Sequence, residues 1–572
     1  MQRKLKVAWR LFSPIIRNHL LAFVGALFLI LVTTAADISL PWILGQVVDM
    51  IAKSTEPSSE FYTLCAWFLG FVLLKSLSES FQGYLIQRAG QDVVHDLRCQ
   101  LFRKVETLHL EYFDRNPTGR ILTRIINDIR SLSELFTASL SVLVLDAVTI
   151  LGSIGAMFWV NAKLAAVVLL TFPLVIVLIH RFGMRLSDAY HRVRAMLSNI
   201  NAFLGENIGA ISTIQRLVAE KEQENRFEEE VHQHFLAQMK TLQVFATVQP
   251  LANILNGVAM VTLLGVGGYW VMQGEITIGV IVAFLGYIRN LFQPVRDIIE
   301  KYNLFLSSMV SAERVSQILD EPSESIRWEY RQKVTQVPMA IEFEGVSLKY
   351  PTGTHWALKG VSFKVEPGKS VALVGATGSG KSTILRLLLR YYEPSEGMIR
   401  LAGKPLPEWN LSDLRSTIGV VHQDLVLFQG TVRDNLLLGQ SLWNDETLIQ
   451  HAKLTRLWKF IEPRGGLDME ILEGGNNLSM GEKQLLSFTR ILVYECPVLI
   501  FDEATASMDR GLEEEIMLAM RHVIEGRTSI VIAHRYSTLR FCNEVICLDS
   551  GRLIEQSSYV EWELEHLSTG GK

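Results

Sequence analysis

The chain has 572 residues, 49% of them hydrophobic and 20% charged, with a mean hydropathy of +0.23. That composition excludes disorder, a collagen-like repeat and a disulfide-rich secreted scaffold, and the length predicts more than one domain. Lys plus Arg number 55 against 59 Asp plus Glu, a net charge of −4, so nothing global predicts a nucleic-acid partner. Five cysteines (Cys65, Cys99, Cys496, Cys542 and Cys547) show no CxxC spacing and are odd in number. They predict neither a metal site nor a disulfide framework. The excess apolarity points instead to segments embedded in a lipid bilayer.

Six apolar stretches, near 18–44, 61–86, 136–160, 163–181, 251–273 and 277–300, are each long enough to cross a hydrocarbon core as a helix. Basic residues sit on one side of them. Arg3, Lys4, Lys6, Arg10 and Arg17 precede the first stretch, and 87–130 and 181–240 hold eight Lys/Arg each. The short loops on the other side hold Lys53, Lys163 and no basic residue near 273–276. This asymmetry predicts six spans with both termini in the cytoplasm, in a cytoplasmic (inner) membrane, and no cleavable signal peptide. Within the span set, Asp146 and Arg289 fall near mid-bilayer, where a charge either pairs with another or faces a cavity. They are read as a structural ion pair or as a cargo contact, and Lys75 and Glu79 as an i, i+4 pair on one helix face.

Both long cytoplasmic segments read as helix with one break each, at 112–129 (Asn116-Pro117-Thr118-Gly119) and at 205–218 (Gly205, Gly209). Such breaks suggest short transverse elements that dock another domain. Beyond Arg296 the apolar residues recur at helical spacing as far as Asp320-Glu321-Pro322, and a polar linker covers 323–340. The expected domains are therefore 1–322 for the membrane part and 341–572 for an α/β domain of alternating strands, glycine loops and helices.

The strongest motif is Gly375-Ala376-Thr377-Gly378-Ser379-Gly380-Lys381-Ser382-Thr383, lying between an apolar strand and a helix. Its glycines let backbone N–H groups turn towards phosphate oxygens, and the following helix adds its dipole. Lys381 supplies a charge between β- and γ-phosphate, and Ser382 is a Mg²⁺ ligand. A second strand, 498–501, ends in Asp502, the expected metal-side acid, and Glu503, the expected general base for an attacking water.

With Leu478-Ser479-Met480-Gly481-Glu482 between these motifs and His534 closing the strand 530–533, the chain resembles the ATP-binding cassette transporters. The likeness is to exporter-type half-transporters, over essentially its whole length. The resemblance implies a polytopic α-helical membrane domain of six transmembrane helices (type I/IV exporter-like) fused to an α/β P-loop nucleotide-binding domain. ATP and Mg²⁺ are its implied cofactors. Tyr350 resembles the aromatic that stacks on adenine, and Gln423 the glutamine that senses Mg²⁺ and water. Ser479 and Gly481 are similar to the signature residues that cap the opposite subunit's nucleotide. Asp509 resembles the aspartate that couples the two sites, and His534 the switch histidine at the γ-phosphate. The breaks near 112–129 and 205–218 resemble the two coupling helices.

The family signature is usually Leu-Ser-Gly-Gly-Gln, and here Met480 and Glu482 depart from it. A carboxylate at 482 predicts repulsion of a triphosphate, on the order of 1 kcal/mol in a partly dry site. Intact hydrolytic residues beside a departing signature resemble one half of heterodimeric exporters, including the Mdl-like bacterial pairs. The expectation is a second half-transporter as partner, with ATP-driven alternating access exporting an amphipathic drug-, lipid- or peptide-like cargo. An exporter-fold importer of metal chelates and an ATP-gated channel are the alternatives.

Overall fold

The long apolar runs fold as helices in the computed structural model. It describes residues 6–568 apart from 7–9, 15–16, 54–57, 136, 138–140, 325–336, 352, 354, 424, 440–442, 503–509 and 534–535. The chain divides into two units, Met1–Glu106 with Thr118–Glu321, and Thr107–Pro117 with Pro322–Lys572.

Among its described residues the first unit is built of helices: α1 (Leu20–Lys53), α2 (Ser59–Glu106), and, after a short segment that belongs to the other unit and carries α3 (Leu110–Arg115), α4 (Thr118–Thr123). A π turn at Arg124–Asp128 leads into α5 (Ile129–Glu134), α6 (Ser141–Val160) and α7 (Ala162–Leu169). Then follow α8 (Phe172–Gly209), α9 (Ile211–Leu217), α10 (Glu220–Thr262), α11 (Gly268–Met272) and α12 (Ile278–Asp320).

Among the described residues four helical stretches are long and apolar enough to cross a membrane: Leu20–Lys53, Ser59–Glu106, Val142–Val160 and Asn253–Met272. The last apolar run is the shorter Ile278–Pro294. The stretch expected as one span at 163–181 is divided between α7 and α8 by a turn at Leu170-Thr171. Pro173 follows in the first turn of α8, where its missing N–H costs nothing.

Contacts between α1 and α12 depend on small residues. A Cβ added at Gly286 would meet the Pro41 ring at 2.6 Å, and Gly45 and Gly279 face each other at backbone distance. Asp49 of α1 then caps α12, accepting from the Thr277 hydroxyl (2.6 Å) and the Gly279 N–H (2.7 Å). Met157, Leu164, Ala259, Phe284, Tyr287 and Ile288 form a buried core shared by α6, α7, α10 and α12.

One expectation for this unit is met with an addition, and a second is not met. Lys75 of α2 forms the expected i, i+4 ion pair with Glu79 at 3.8 Å and also donates to Asp37 of α1 at 2.5 Å. The interhelical carboxylate approaches the ammonium more closely than the one on the same helix. Asp146 is buried, whereas Arg289 lies on an exposed face of α12, and among the described residues no ion pair joins the two.

Among the described residues the second unit holds three sheets. A six-stranded one has the order β12-β11-β3-β10-β9-β6, with β3 (Ser370–Val374), β6 (Ile418–Val421), β9 (Val498–Asp502), β10 (Thr528–Ile532), β11 (Glu544–Asp549) and β12 (Arg552–Ser558). All its pairings are parallel except β11 with β12. The central strands read as unbroken apolar runs because both faces are covered. A second sheet, β2-β1-β4-β5, joins β1 (Ile341–Leu348), β2 (Leu358–Val365), β4 (Glu396–Leu401) and β5 (Lys404–Pro405), and a two-stranded one pairs β7 (Gly430–Thr431) with β8 (Glu470–Ile471). Helices α13 (Lys381–Leu388), α14 (Leu411–Thr417), α15 (Met480–Tyr494) and α16 (Arg510–Ile524) pack around the strands.

Candidate nucleotide-binding site

Parallel pairing brings the C-terminal ends of β3, β10, β9 and β6 to one edge of the large sheet. Ile532 is level with both Leu373 and Asp502, and Val421 with Phe501. Three sequence-predicted residues therefore meet at that edge: the loop after Val374, Asp502 two strands away (about 10 Å at the usual strand spacing), and Gln423 just beyond β6. Asp502 is half-buried and Gln423 exposed. His422, which the motifs do not single out, also lies here. Though the residue keeps an exposed face, partial desolvation by the surrounding protein lowers its imidazole below the ordinary histidine value, while Asp502 works in the opposite direction.

The loop Gly375–Gly380 needs its glycines. Gly380 has φ 106°, and a Cβ there would meet Leu358 Cδ2 at 2.6 Å and the Ala357 carbonyl at 2.9 Å. Gly375 has φ 151° and stands against the Leu548 carbonyl, with Ser379 Oγ 2.7 Å from where its Cβ would be. Thr377 and Gly378 are exposed at the crest of the loop. Lys381, buried at the start of α13, donates to the carbonyls of Gly375 (2.7 Å) and Ala376 (2.9 Å). Ser379 is 3% exposed and its hydroxyl has no partner among the described residues. A buried hydroxyl left in this way is what a phosphate-accepting cradle leaves for its ligand. Ser382 is exposed at the first turn of α13. Ser382, Asp502 and Gln423 supply hard oxygen donors, the set that Mg²⁺ takes.

Tyr350 follows β1, its ring half-buried and its hydroxyl donating to Thr383 Oγ1 at 3.2 Å. Thr383 itself is buried.

The signature lies at the start of α15. Ser479 is its N-cap, accepting from the Glu482 N–H at 3.3 Å, while Glu482 Oε2 accepts from the Ser479 N–H at 2.8 Å. This is a reciprocal capping box, which Glu and Gln form equally well. The other oxygen of Glu482 pairs with the Arg464 guanidinium, and the whole residue is 7% exposed. The carboxylate is turned inward, neutralised by Arg464 and bound to its own helix terminus. Gly481 is buried behind it, whereas Ser479 is exposed and Met480 is 53% exposed. Glu503, Asp509 and His534 lie outside the described residues.

Of the two transverse elements, α3 overlaps the start of 112–129 and belongs to the unit that holds the nucleotide loop. The second, α9, lies within 205–218 and leaves Ile208, Ile211, Leu217 and Val218 exposed at and around it.

Comparison with known proteins places both halves. Residues 23–295 match the family described as the ABC transporter transmembrane region, and 358–506 match the family described as ABC transporter. Over 555 residues the chain is 32% identical to the "Uncharacterized ABC transporter ATP-binding protein YknV" of Bacillus subtilis, covering 96% of this chain and 91% of that one. It is 34% identical over 489 residues to the "Probable multidrug resistance ABC transporter ATP-binding/permease protein YheH" of the same species, covering 84% and 72%. With the "ATP-dependent lipid A-core flippase" of Syntrophus aciditrophicus it shares 29% over 544 residues, covering 95% and 90%.

Proposed function

Because the chain belongs to the ATP-binding cassette transporters, as an exporter-type, multi-pass membrane protein with an ATPase domain, we propose that it exports an amphipathic cargo. Drugs, lipids and peptides are the chemical classes meant, and the drug and lipid classes are supported by the printed names of two relatives, a multidrug resistance transporter and a lipid A-core flippase. The observation that carries the reading is one chain's union of membrane-length helices with a glycine loop, Lys381 and Asp502 at a single sheet edge.

In this reading Lys381 and the loop amides hold the β- and γ-phosphates of ATP, and Tyr350 stacks on adenine. Ser382, Asp502 and Gln423 hold Mg²⁺, which when bound neutralises charge on the transferring phosphoryl group. Glu503 takes the proton of the attacking water, His534 contacts the γ-phosphate, and Asp509 couples the two sites of the dimer. Two cassettes close on ATP. The elements near 112–129 and 205–218 carry that closure to the spans, and hydrolysis resets the pair. Six spans, cytoplasmic termini and the cytoplasmic membrane complete the proposal, and Asp146 and Arg289 are candidate cavity residues acting separately.

The chain works as one half of a dimer, and we assign the other half to a different half-transporter. With Glu482 neutralised internally, that assignment stands on Met480 alone, a bulky exposed side chain where the family has glycine. The test is ATPase activity in lipid of the chain alone and co-purified with a neighbouring half-transporter, with and without amphipathic cargo. Activity appearing only with the second chain, and rising with cargo, is expected. Full activity from the chain alone makes it a homodimer, and cargo-independent activity in both samples overturns the export reading.

A further inference from the structure

The nucleotide unit includes a piece of chain that comes from far away in sequence. Thr107–Pro117 lies in it, with α3 at its centre. One end of that piece is fastened to the residues that follow α12, and the other to the C-terminal part of α13 and to Tyr392 beyond it. At one end Leu108 bridges Ser323, and the Glu324 N–H donates to the Thr107 carbonyl at 2.7 Å. Glu324, buried, takes both arms of Arg415 (2.5 and 2.8 Å) and stands 3.7 Å from His109. Arg415 in turn lies 4.9 Å from the Tyr391 ring centre and donates to the Leu389 carbonyl. Bidentate, largely buried Arg–carboxylate geometry of this kind fixes orientation as well as distance.

At the other end one oxygen, Asp114 Oδ2, collects two donors: the Tyr392 hydroxyl at 2.6 Å and Arg386 Nη1 at 3.2 Å. Both donors touch Tyr350. The Arg386 guanidinium lies over its ring, 5.8 Å from the centroid, within cation–π reach, and the Tyr392 ring meets it edge-on at 4.9 Å and 90°. Burial and the bond to Asp114 push the Tyr392 phenol above its ordinary value, so it remains a donor at physiological pH. The Tyr350 ring is thus held at three points: its hydroxyl on Thr383, its face by Arg386 and its edge by Tyr392. Two of those three are oriented by a single carboxylate on α3.

We propose that Asp114 is a positioning residue for the nucleotide base, setting the attitude of the Tyr350 ring through Arg386 and Tyr392, so that the position of α3 is read as affinity for ATP. The inference rests on Tyr350 being the aromatic that receives adenine. Residues that act on phosphate, Lys381 and Asp502, lie outside this chain of contacts. Loss of Asp114 therefore weakens nucleotide binding and leaves the chemical step alone.

The test is a double-mutant cycle on the intact transporter in lipid, measuring kcat and KM for ATP. Asp114→Asn should raise KM by about three- to tenfold, the range for one lost charge-assisted contact, with kcat within about twofold. Asp114→Glu should recover part of the loss, and Tyr392→Phe, which removes one donor without altering charge, should reproduce part of it. Tyr350→Leu should raise KM at least as much, and Asp114→Asn added to it should raise KM no further. A multiplied effect in the double variant, or a fall in kcat at unchanged KM in Asp114→Asn, overturns the positioning role while leaving Tyr350 as the base-stacking residue. An unchanged KM in Tyr350→Leu overturns both. If Asp114→Asn yields no folded transporter, Tyr392→Phe alone and in the Tyr350→Leu background decides the matter by the same criteria.

Discussion

Replacing Glu482 by Gln restores the family's usual signature residue, and two physical accounts of that position predict opposite results. If the carboxylate faced a partner's phosphates, removing about 1 kcal/mol of repulsion would lower KM for ATP roughly fivefold. In the structure it faces inward. Its Oε2 accepts from the Ser479 N–H at 2.8 Å, a bond that the Gln amide oxygen can keep. Its other oxygen pairs with Arg464, whose side chain is 40% exposed and can turn to water when the charge is removed. Glu482→Gln should therefore cost about 1 kcal/mol or less in stability and leave KM within about twofold of the parent. Arg464→Ala is the harsher change, because it strands a 7% exposed carboxylate. A fully buried pair broken from one side costs about 3–5 kcal/mol, and the half-exposed Arg464 brings this down to about 1–3. The assay is steady-state ATPase at varied ATP, with thermal unfolding of the same preparations in detergent. A fivefold fall in KM for Glu482→Gln, or Arg464→Ala as stable as the parent, would refute the inward-facing account.

Other expectations follow from the same geometry. Glu503→Gln should retain ATP binding while losing about 10²–10⁴ in hydrolysis, and parental turnover would remove Glu503 from the role of base. Gly380→Ala should abolish nucleotide binding, since it needs φ 106° and collides with Leu358 and the Ala357 carbonyl, as equilibrium binding of a fluorescent ATP analogue will report. Asp49→Ala removes the cap on α12 and should cost about 1 kcal/mol, whereas Asp49→Asn keeps an acceptor and should cost a few tenths; equal melting temperatures for the two would count against the cap.

The nucleotide half was legible because its signals are local. The glycine loop, the apolar strand before it and the acid at the end of β9 each occupy a few consecutive residues. Parallel pairing then brings Asp502 and Gln423 to the same edge as the loop. The partner of Glu482 is hidden for the opposite reason. Ser479 and Glu482 carry the spacing of a capping box, but Arg464 lies 18 residues upstream, and nothing local announces that it closes over the carboxylate. Lys75 shows the same limit: its i, i+4 neighbour is visible in the sequence, while Asp37, 38 residues away, is found only once α1 and α2 pack. The turn that divides 163–181 was masked by hydropathy, which registers apolar length and is blind to the Leu170-Thr171 turn ahead of Pro173.

The membership of Thr107–Pro117 in the nucleotide unit bears on how that half can be isolated. A fragment cut at the start of β1 would carry Lys381 and Asp502 and would still lack the carboxylate that gathers Arg386 and Tyr392, together with Glu324, the anchor of Arg415. Arg386 and Tyr392 would lose Asp114, and Arg415 would lose Glu324. Nucleotide affinities measured on such a fragment describe a truncated protein, and fusing 107–117 ahead of 322 through a flexible tether is the smallest change that restores the missing surface.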